Sequence, residues 1–446
     1  MSTTSLDRSL VTGIGWTALF RWISQIISWG GTFYAARLLA PSDYGVIAMA
    51  MIPIGLVRMI EDLGFDAVLL QNRELTDEQV ARLGGLALLF GISLALLICA
   101  LAPLISDFYR EPQVTQVVMA LSVLVVLDAL QIVPRVKLQQ DLNFFWLGLV
   151  YLFQSVGIAA TLVVLATAGA GLWALVFNTL AGAAVATVLL FWLKPFSPRW
   201  PRGLVALKSP ILAGWRMLVS RAAYYANSVA DQTVAGRVLG KDALGHYSFA
   251  MSIASLPVQE ITSLVTRVVP GVFSAAQDDR PLLRRYFLLL TEALAYVAFP
   301  VSCGLALTAV HVVPVALGPQ WGDVVIALQA LSVYMAMYAA QTLVSHVLLW
   351  TGHFRYLMWF SLLSLAVMPA AFFFGIKLGG LNGLAWTWAV AYPLVCIPPM
   401  IIAWRILQLR WIQFFAAFAP AALACAVMSV AVLGLRQVHG LPAGHL

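Results

Sequence analysis

Seven arginines fall inside or at the edges of long apolar runs, and four of them are candidates for binding a ligand: Arg21, Arg58, Arg221 and Arg267. A guanidinium is a planar fork of donors that binds phosphate oxygens two at a time, so arginines in apolar surroundings point to an anionic, phosphate-bearing ligand. At the centre of a membrane helix an arginine costs roughly 2.5–3.5 kcal/mol on insertion scales, which drives it towards a cavity or a partner. Arg21 and Arg221 stand 200 positions apart, each about ten residues into its run. They are expected to hold the ligand together, the alternative being structural pairing with carboxylates or helix carbonyls. Arg58 lies 14 residues after Tyr44, or about 21 Å at the helical rise. It is placed to receive a ligand, with Glu61 and Asp62 at i+3 and i+4 as competing local partners. Arg267 either joins the site or snorkels to the interface.

Among the candidate buried carboxylates Asp128, Asp231, Glu260 and Glu292, Asp231 is the candidate for coupling to Na⁺ or H⁺, with Asn227 one turn earlier. Its other reading is neutralisation of Arg221 or Arg237. Gly30 and Gly31 sit side by side in the first apolar run, as a hinge or as a close packing contact. Nothing in the sequence suggests catalysis, a resident cofactor or a metal. There is no G-x-x-x-x-G-K-[ST] loop, no G-x-S-x-G and no H-E-x-x-H. Cys99, Cys303, Cys396 and Cys425 fall in apolar runs without metal spacing, and His311 and His346 are isolated.

The elements that must position these groups follow from composition. The chain of 446 residues is 62% hydrophobic and 10% charged, whereas soluble domains carry roughly a quarter charged residues. Apolar runs of about 20 residues, each able to cross a ~30 Å hydrocarbon layer, recur throughout. Thirteen helical spans are expected, near 12–37, 44–63, 83–105, 114–133, 145–167, 171–192, 211–238, 244–268, 286–313, 324–349, 356–376, 383–404 and 411–435. With the N-terminus inside, alternate loops hold fifteen Lys and Arg on the inner side and four on the outer. That asymmetry places the N-terminus in the cytoplasm. The net charge of +7 is therefore read as a topology signal and not as a nucleic-acid footprint.

The chain also repeats itself. Residues 36–51 match 236–251 at five of sixteen positions, and residues 120–144 match 330–354 at eight of 25, with Gln131/Gln341, Leu138/Leu348 and Phe144/Phe354 among them. Gly171/Gly383, Leu172/Leu384 and Trp192/Trp404 agree at an offset of 212. Six spans recur as six. Because six is even, both halves start on the same side and form parallel repeats. The expectation is an all-α polytopic membrane protein: a six-helix lobe over 1–193, a cytoplasmic linker at 194–210, a second six-helix lobe over 211–404, and an additional helix with a short tail at 405–446. A central cavity lies between the lobes of transporters built this way.

Several phrases carry a family likeness: G-W-x-x-x-x-R from Gly15 to Arg21, A-R-L-L-A-P-S-D-Y-G from Ala36, D-L-G-F from Asp62, L-L-Q from Leu69 and L-G-P-Q-W from Leu317. The chain resembles the polysaccharide-transport branch of the multidrug/oligosaccharidyl-lipid/polysaccharide exporter superfamily, the Wzx-type oligosaccharide flippases of bacterial inner membranes. The resemblance implies two lobes in a V around a cationic cavity. It also implies a polyprenyl-diphosphate oligosaccharide as cargo, moved from the cytoplasmic to the periplasmic leaflet by alternating access for surface polysaccharide assembly. Partners would be membrane lipids and, beside them, a glycan polymerase and export machinery. Many members of that branch have fourteen spans where thirteen are counted here, which leaves the side of the C-terminus open. Two alternatives compete. A multidrug or ion antiporter of the same superfamily would favour acidic cavity residues, and a membrane glycan polymerase or ligase would need a large outer loop. The orientation is directly testable: a cysteine replacing Ser197 should resist a membrane-impermeant thiol reagent added to intact cells, and strong labelling would invert the topology.

Overall fold

The computed structural model describes residues 3–61, 65–71, 75–200, 222, 224–276 and 279–438. They are almost wholly helical: α1 (Thr3–Ala36), α2 (Pro41–Glu61), α3 (Phe65–Gln71), α4 (Asp77–Tyr109), α5 (Gln113–Leu121), α6 (Val123–Gln140), α7 (Phe144–Thr167) and α8 (Leu172–Leu193) come first. Then follow α9 (Ala230–Ala276), α10 (Arg280–Ala316), α11 (Val324–Trp350), α12 (Phe354–Leu407) and α13 (Trp411–Val438). Hydrocarbon offers backbone groups no partners, so each segment satisfies its own. Local chemistry sets the ends. Thr76 and Gln79 exchange side-chain and backbone hydrogen bonds in a capping box that starts α4. Asp279 accepts from the Leu282 amide ahead of Pro281 to start α10.

Two of the long elements are hairpins. In a straight helix Asp231 and Tyr247 would be about 24 Å apart, yet the Tyr247 hydroxyl reaches the Asp231 carboxylate at 2.5 Å. The chain reverses between them at Gly240, whose φ of 84° suits only glycine. In α12 the reversal falls at Gly379–Gly380, bringing Gly375 against Gly383 and the Phe372 ring 5.0 Å from Trp388. Among the described residues nine helices are long and apolar enough to span a bilayer. Because α12 is one of the nine yet turns back on itself, it supplies two passes, residues 354–378 and 381–407. Residues 211–221 and 223 of the expected seventh span lie outside the described residues.

The repeat is visible in turn chemistry. At the end of α6, Asn143 N–H donates to Leu138 O and Leu142 takes φ 53°; at the end of α11, His353 N–H donates to Leu348 O and Gly352 takes φ 77°. These are the same turn at the offset of 210. Gly171 (φ 55°, ψ −131°) and Gly380 (φ 57°, ψ −133°) share another rare conformation at the start of the sixth span of each half.

The chain divides into two compact units, one of Met1–Ala226 with Gly240–Asp242, the other of Asn227–Leu239 with Ala243–Leu446. In the first, α1 lies along α7, α7 along α8, and α6 packs against both α4 and α8. An apolar core of Phe65, Leu69, Leu83, Ala87, Ile132, Val133 and Val136 joins α3, α4 and α6. Charges gather at one end of this unit: Lys137 pairs with Asp77 at 3.0 Å, Lys194 with Asp141 at 2.5 Å, and Arg82 with Glu78 at 2.8 Å. These basic residues were all counted to the same side from the sequence. Beyond α8, residues 194–200 lie along α4: Phe196 sits on Gly84, and Arg199 N–H donates to Ala81 O at 3.0 Å. In the second unit α10 packs against α11 and α13, and α11 along α12.

Helix α1 runs unbroken through Gly30 and Gly31. Gly31 abuts Ala159 of α7, where an added Cβ would meet the Ala159 Cβ at 3.0 Å; Gly30 has open space. Gly31→Leu should therefore destabilise the protein by roughly 1–3 kcal/mol through overpacking, while Gly30→Leu leaves the melting temperature unchanged. Equal effects of the two would remove the α1–α7 contact as the reason for the pair.

Candidate functional site

The first unit contains a polar cavity of about 340 Å³ lined by Arg58, Met59, Glu61, Asp66, Asp128, Ile132 and Arg135. Its parts come from the end of α2, the start of α3 and the middle of α6. Asp128 stands 15 residues from Gln113 and 12 from Gln140, hence near mid-depth of the span formed by α5 and α6. Arg58 Nε donates to Asp128 Oδ2 at 2.6 Å, with the Arg58 side chain 41% and the Asp128 side chain 21% exposed. The guanidinium is thus fixed on one edge and open to the cavity on the other. Arg135, two helical turns after Asp128 on the same face of α6, is within electrostatic reach of that carboxylate. Glu61 is 3% exposed and is admitted between α4 and α6 by Gly91, where a Cβ would stand 3.3 Å from Glu61 Oε1. Two arginines and three carboxylates make this a mixed-charge site.

A second polar cluster lies in the other unit. Asp231 is 1% exposed. Its Oδ2 accepts from Tyr247 Oη at 2.5 Å and from Trp388 Nε1 at 3.2 Å, and Trp388 Nε1 also donates to Tyr247 Oη at 2.7 Å. Asp231 Oδ1 is buried with no donor in hydrogen-bonding geometry among the described residues. Tyr334 covers Trp388 at 4.4 Å between ring centroids, and Tyr392 meets Tyr334 edge-on at 5.1 Å. One turn before Asp231, Asn227 Oδ1 accepts from Ser364 Oγ at 3.0 Å. The partners of Asp231 are therefore aromatic donors, and among the described residues no arginine neutralises it.

The residues singled out in the sequence fall as follows. Arg58 lines the cavity, and its carboxylate comes from 70 residues along the chain. Arg21 stands exposed on α1 and Arg267 exposed on α9, and neither lines that cavity. Arg221 lies outside the described residues, so the pairing of Arg21 with Arg221 does too. Asp66, Arg135, Tyr247 and Trp388 were passed over. A helical-wheel reading of the fourth span finds Asp128 and Arg135 at i and i+7 on one face; no sequence signal separates Tyr247 or Trp388 from ordinary lipid-belt aromatics.

The described residues are almost wholly helical, with repeated turns and charged clusters on helices long and apolar enough to span a bilayer, the architecture of a polytopic membrane protein. The chain belongs to the polysaccharide biosynthesis protein family, whose profile matches residues 35–326. It is 23% identical to the teichuronic acid biosynthesis protein TuaB of Bacillus subtilis (strain 168), over 86% of this chain and 80% of that one. It is 24% identical to the lipopolysaccharide biosynthesis protein WzxC of Escherichia coli (strain K12), over 74% of this chain and 67% of that one. The fold is shared with lipid II flippase MurJ in an inward closed conformation, with a TM-score of 0.71 at 12% identity over 93% of this chain and 92% of that one.

A double-mutant cycle of Arg58→Ala and Asp128→Ala, read by thermal unfolding in detergent, should give a coupling of about 0.5–1 kcal/mol, as expected of a partly exposed ion pair. Strict additivity would mean that the pair contributes nothing to the fold.

Proposed function

We propose that this protein flips a lipid-linked, diphosphate-bearing oligosaccharide across the cytoplasmic membrane of a bacterium, from the inner to the outer leaflet, by alternating access. The observation that carries the reading is Arg58: a guanidinium in the last turn of α2, anchored by Asp128 and facing a polar cavity large enough for a phosphate group. Family membership and the names of TuaB and WzxC support surface polysaccharide assembly as the setting. In this reading Arg58 takes the diphosphate, with Arg21, Arg221 and Arg267 as further points along its route. Asp231 holds a proton or Na⁺ on its unpaired oxygen and couples transport to that gradient. No covalent step is required, so the protein is a transporter and not an enzyme. The N-terminus and the 193–210 loop face the cytoplasm, and a glycan polymerase and export machinery take up the product outside.

A second reading has one observation behind it. Glu61, Asp66 and Asp128 outnumber the two arginines of the cavity, as suits an antiporter for cationic compounds. Reconstituted vesicles separate the two. Translocation of a polyprenyl-diphosphate oligosaccharide should fall roughly 10- to 100-fold in Arg58→Ala, the loss expected for charge-assisted phosphate contacts, and should be partly restored by Arg58→Lys. Cation efflux that survives Arg58→Ala but fails in Asp128→Asn would favour the antiporter. The gradient is tested separately: Asp231→Asn should leave substrate binding intact and abolish the response of transport to a proton or Na⁺ gradient.

A further inference from the structure

A second groove, of about 520 Å³, lies in the other unit where the last limb of α12 meets α13. Arg405 occupies the last turn of α12 and Arg410 immediately precedes α13. Between them Gln408 adopts φ 51° and Leu409 N–H returns to Trp404 O at 2.8 Å, a tight turn that leaves both arginines flanking the groove. Both are exposed, and among the described residues neither guanidinium meets a carboxylate. The rest of the groove is amphipathic. The indole N–H of Trp404 is buried with no acceptor among the described residues. Trp411 is 62% exposed on the opposite wall, and Ile401 and Ile412 add exposed aliphatic surface at 40% and 60%. Arg284 of α10 reaches the same turn, its Nη1 donating to Gln408 O at 3.4 Å.

Two unused cations and an unused indole donor beside exposed aliphatic walls describe a ligand with an anionic, oxygen-rich head and an apolar tail. A soluble anion would leave the isoleucines and the faces of the indoles without a role. Tryptophan favours the headgroup level of a bilayer, and basic pockets between helices on the cytoplasmic side recognise anionic lipid headgroups. Arg405, Arg410 and Arg284 are among the charges the sequence assigns to that side. We propose that this groove binds the phosphodiester headgroup of an anionic phospholipid of the cytoplasmic leaflet. It shares no residue with the Arg58 cavity and does not depend on what that cavity transports.

Native mass spectrometry of the full-length protein, delipidated in detergent and titrated with phosphatidylglycerol or phosphatidylcholine, tests this. Wild type should retain phosphatidylglycerol at lower concentration than phosphatidylcholine. Arg405→Gln/Arg410→Gln should weaken the tightest phosphatidylglycerol site about 30-fold, at roughly a factor of five for each charge. Removal of two charges elsewhere, Arg110→Gln/Lys377→Gln, should not. Should the double variant fail to fold, Arg410→Gln alone, at an exposed side chain, should show a loss of about fivefold. Equal affinity for the two lipids, or unchanged affinity in the arginine variants, overturns the proposal. So does a polyprenyl phosphate that occupies the site and resists displacement by phosphatidylglycerol, which would assign the groove to the carrier lipid.

Discussion

A charge set among apolar helices needs a partner, and the partly exposed pair of Arg58 with Asp128 is how this chain meets that constraint in its first unit. The pair ties α2 to α6, positions separated by 70 residues. Around it the sequence is arranged to admit further charge: Gly91 opens space for Glu61, and Arg135 follows Asp128 on the same helix face. Both side chains are partly exposed, so the pair adds little to stability and serves chiefly to fix the guanidinium in place.

The two halves have kept their turns and diverged in their polar interiors. The hairpin ends at Leu142 and Gly352 share hydrogen bonds and left-handed backbone, and so do the glycines at 171 and 380 in conformation. At the same offsets, however, Arg58 corresponds to Val258, Asp128 to Tyr338 and Asp231 to Gly31. Turn geometry is dictated by the need to reverse a helix within a few residues, so both copies are held to it. Charged side chains are needed only where they act. Gln131 illustrates the divergence within a shared residue: it donates to Ala183 O and Thr187 Oγ1, while the repeat partner of that threonine is Pro399.

Spans, loops and the repeat were legible because apolar length and Lys/Arg asymmetry are local properties of a sequence. The first span and the expected 356–376 and 383–404 helices follow from such signals. Arg58 could be singled out for the same reason, as a charge where none is expected. Its partner could not, because choosing Asp128 over Glu61 or Asp62 requires knowing which helices adjoin. Asp231 was visible as an intramembrane acid, yet its hydrogen bonds from Tyr247 and Trp388 depend on two hairpin reversals, at Gly240 and Gly380, that bring three distant segments to one point. In a chain with 15 Trp and 13 Tyr no sequence rule selects those two.

The short segment after α8 matters to how the protein is made. Phe196 fills the surface over Gly84, and Arg199 hydrogen-bonds to the first turns of α4, so residues expected to be linker are part of the first unit's packing. A ribosome that has delivered only α1 to α8, up to Leu193, has released a unit whose α4 surface is still bare. The unit closes once residues 194–200 emerge. Anyone dividing the gene to express the halves as separate polypeptides would keep residues 194–200 with the first half, since a cut before them strands the cover of one half on the other.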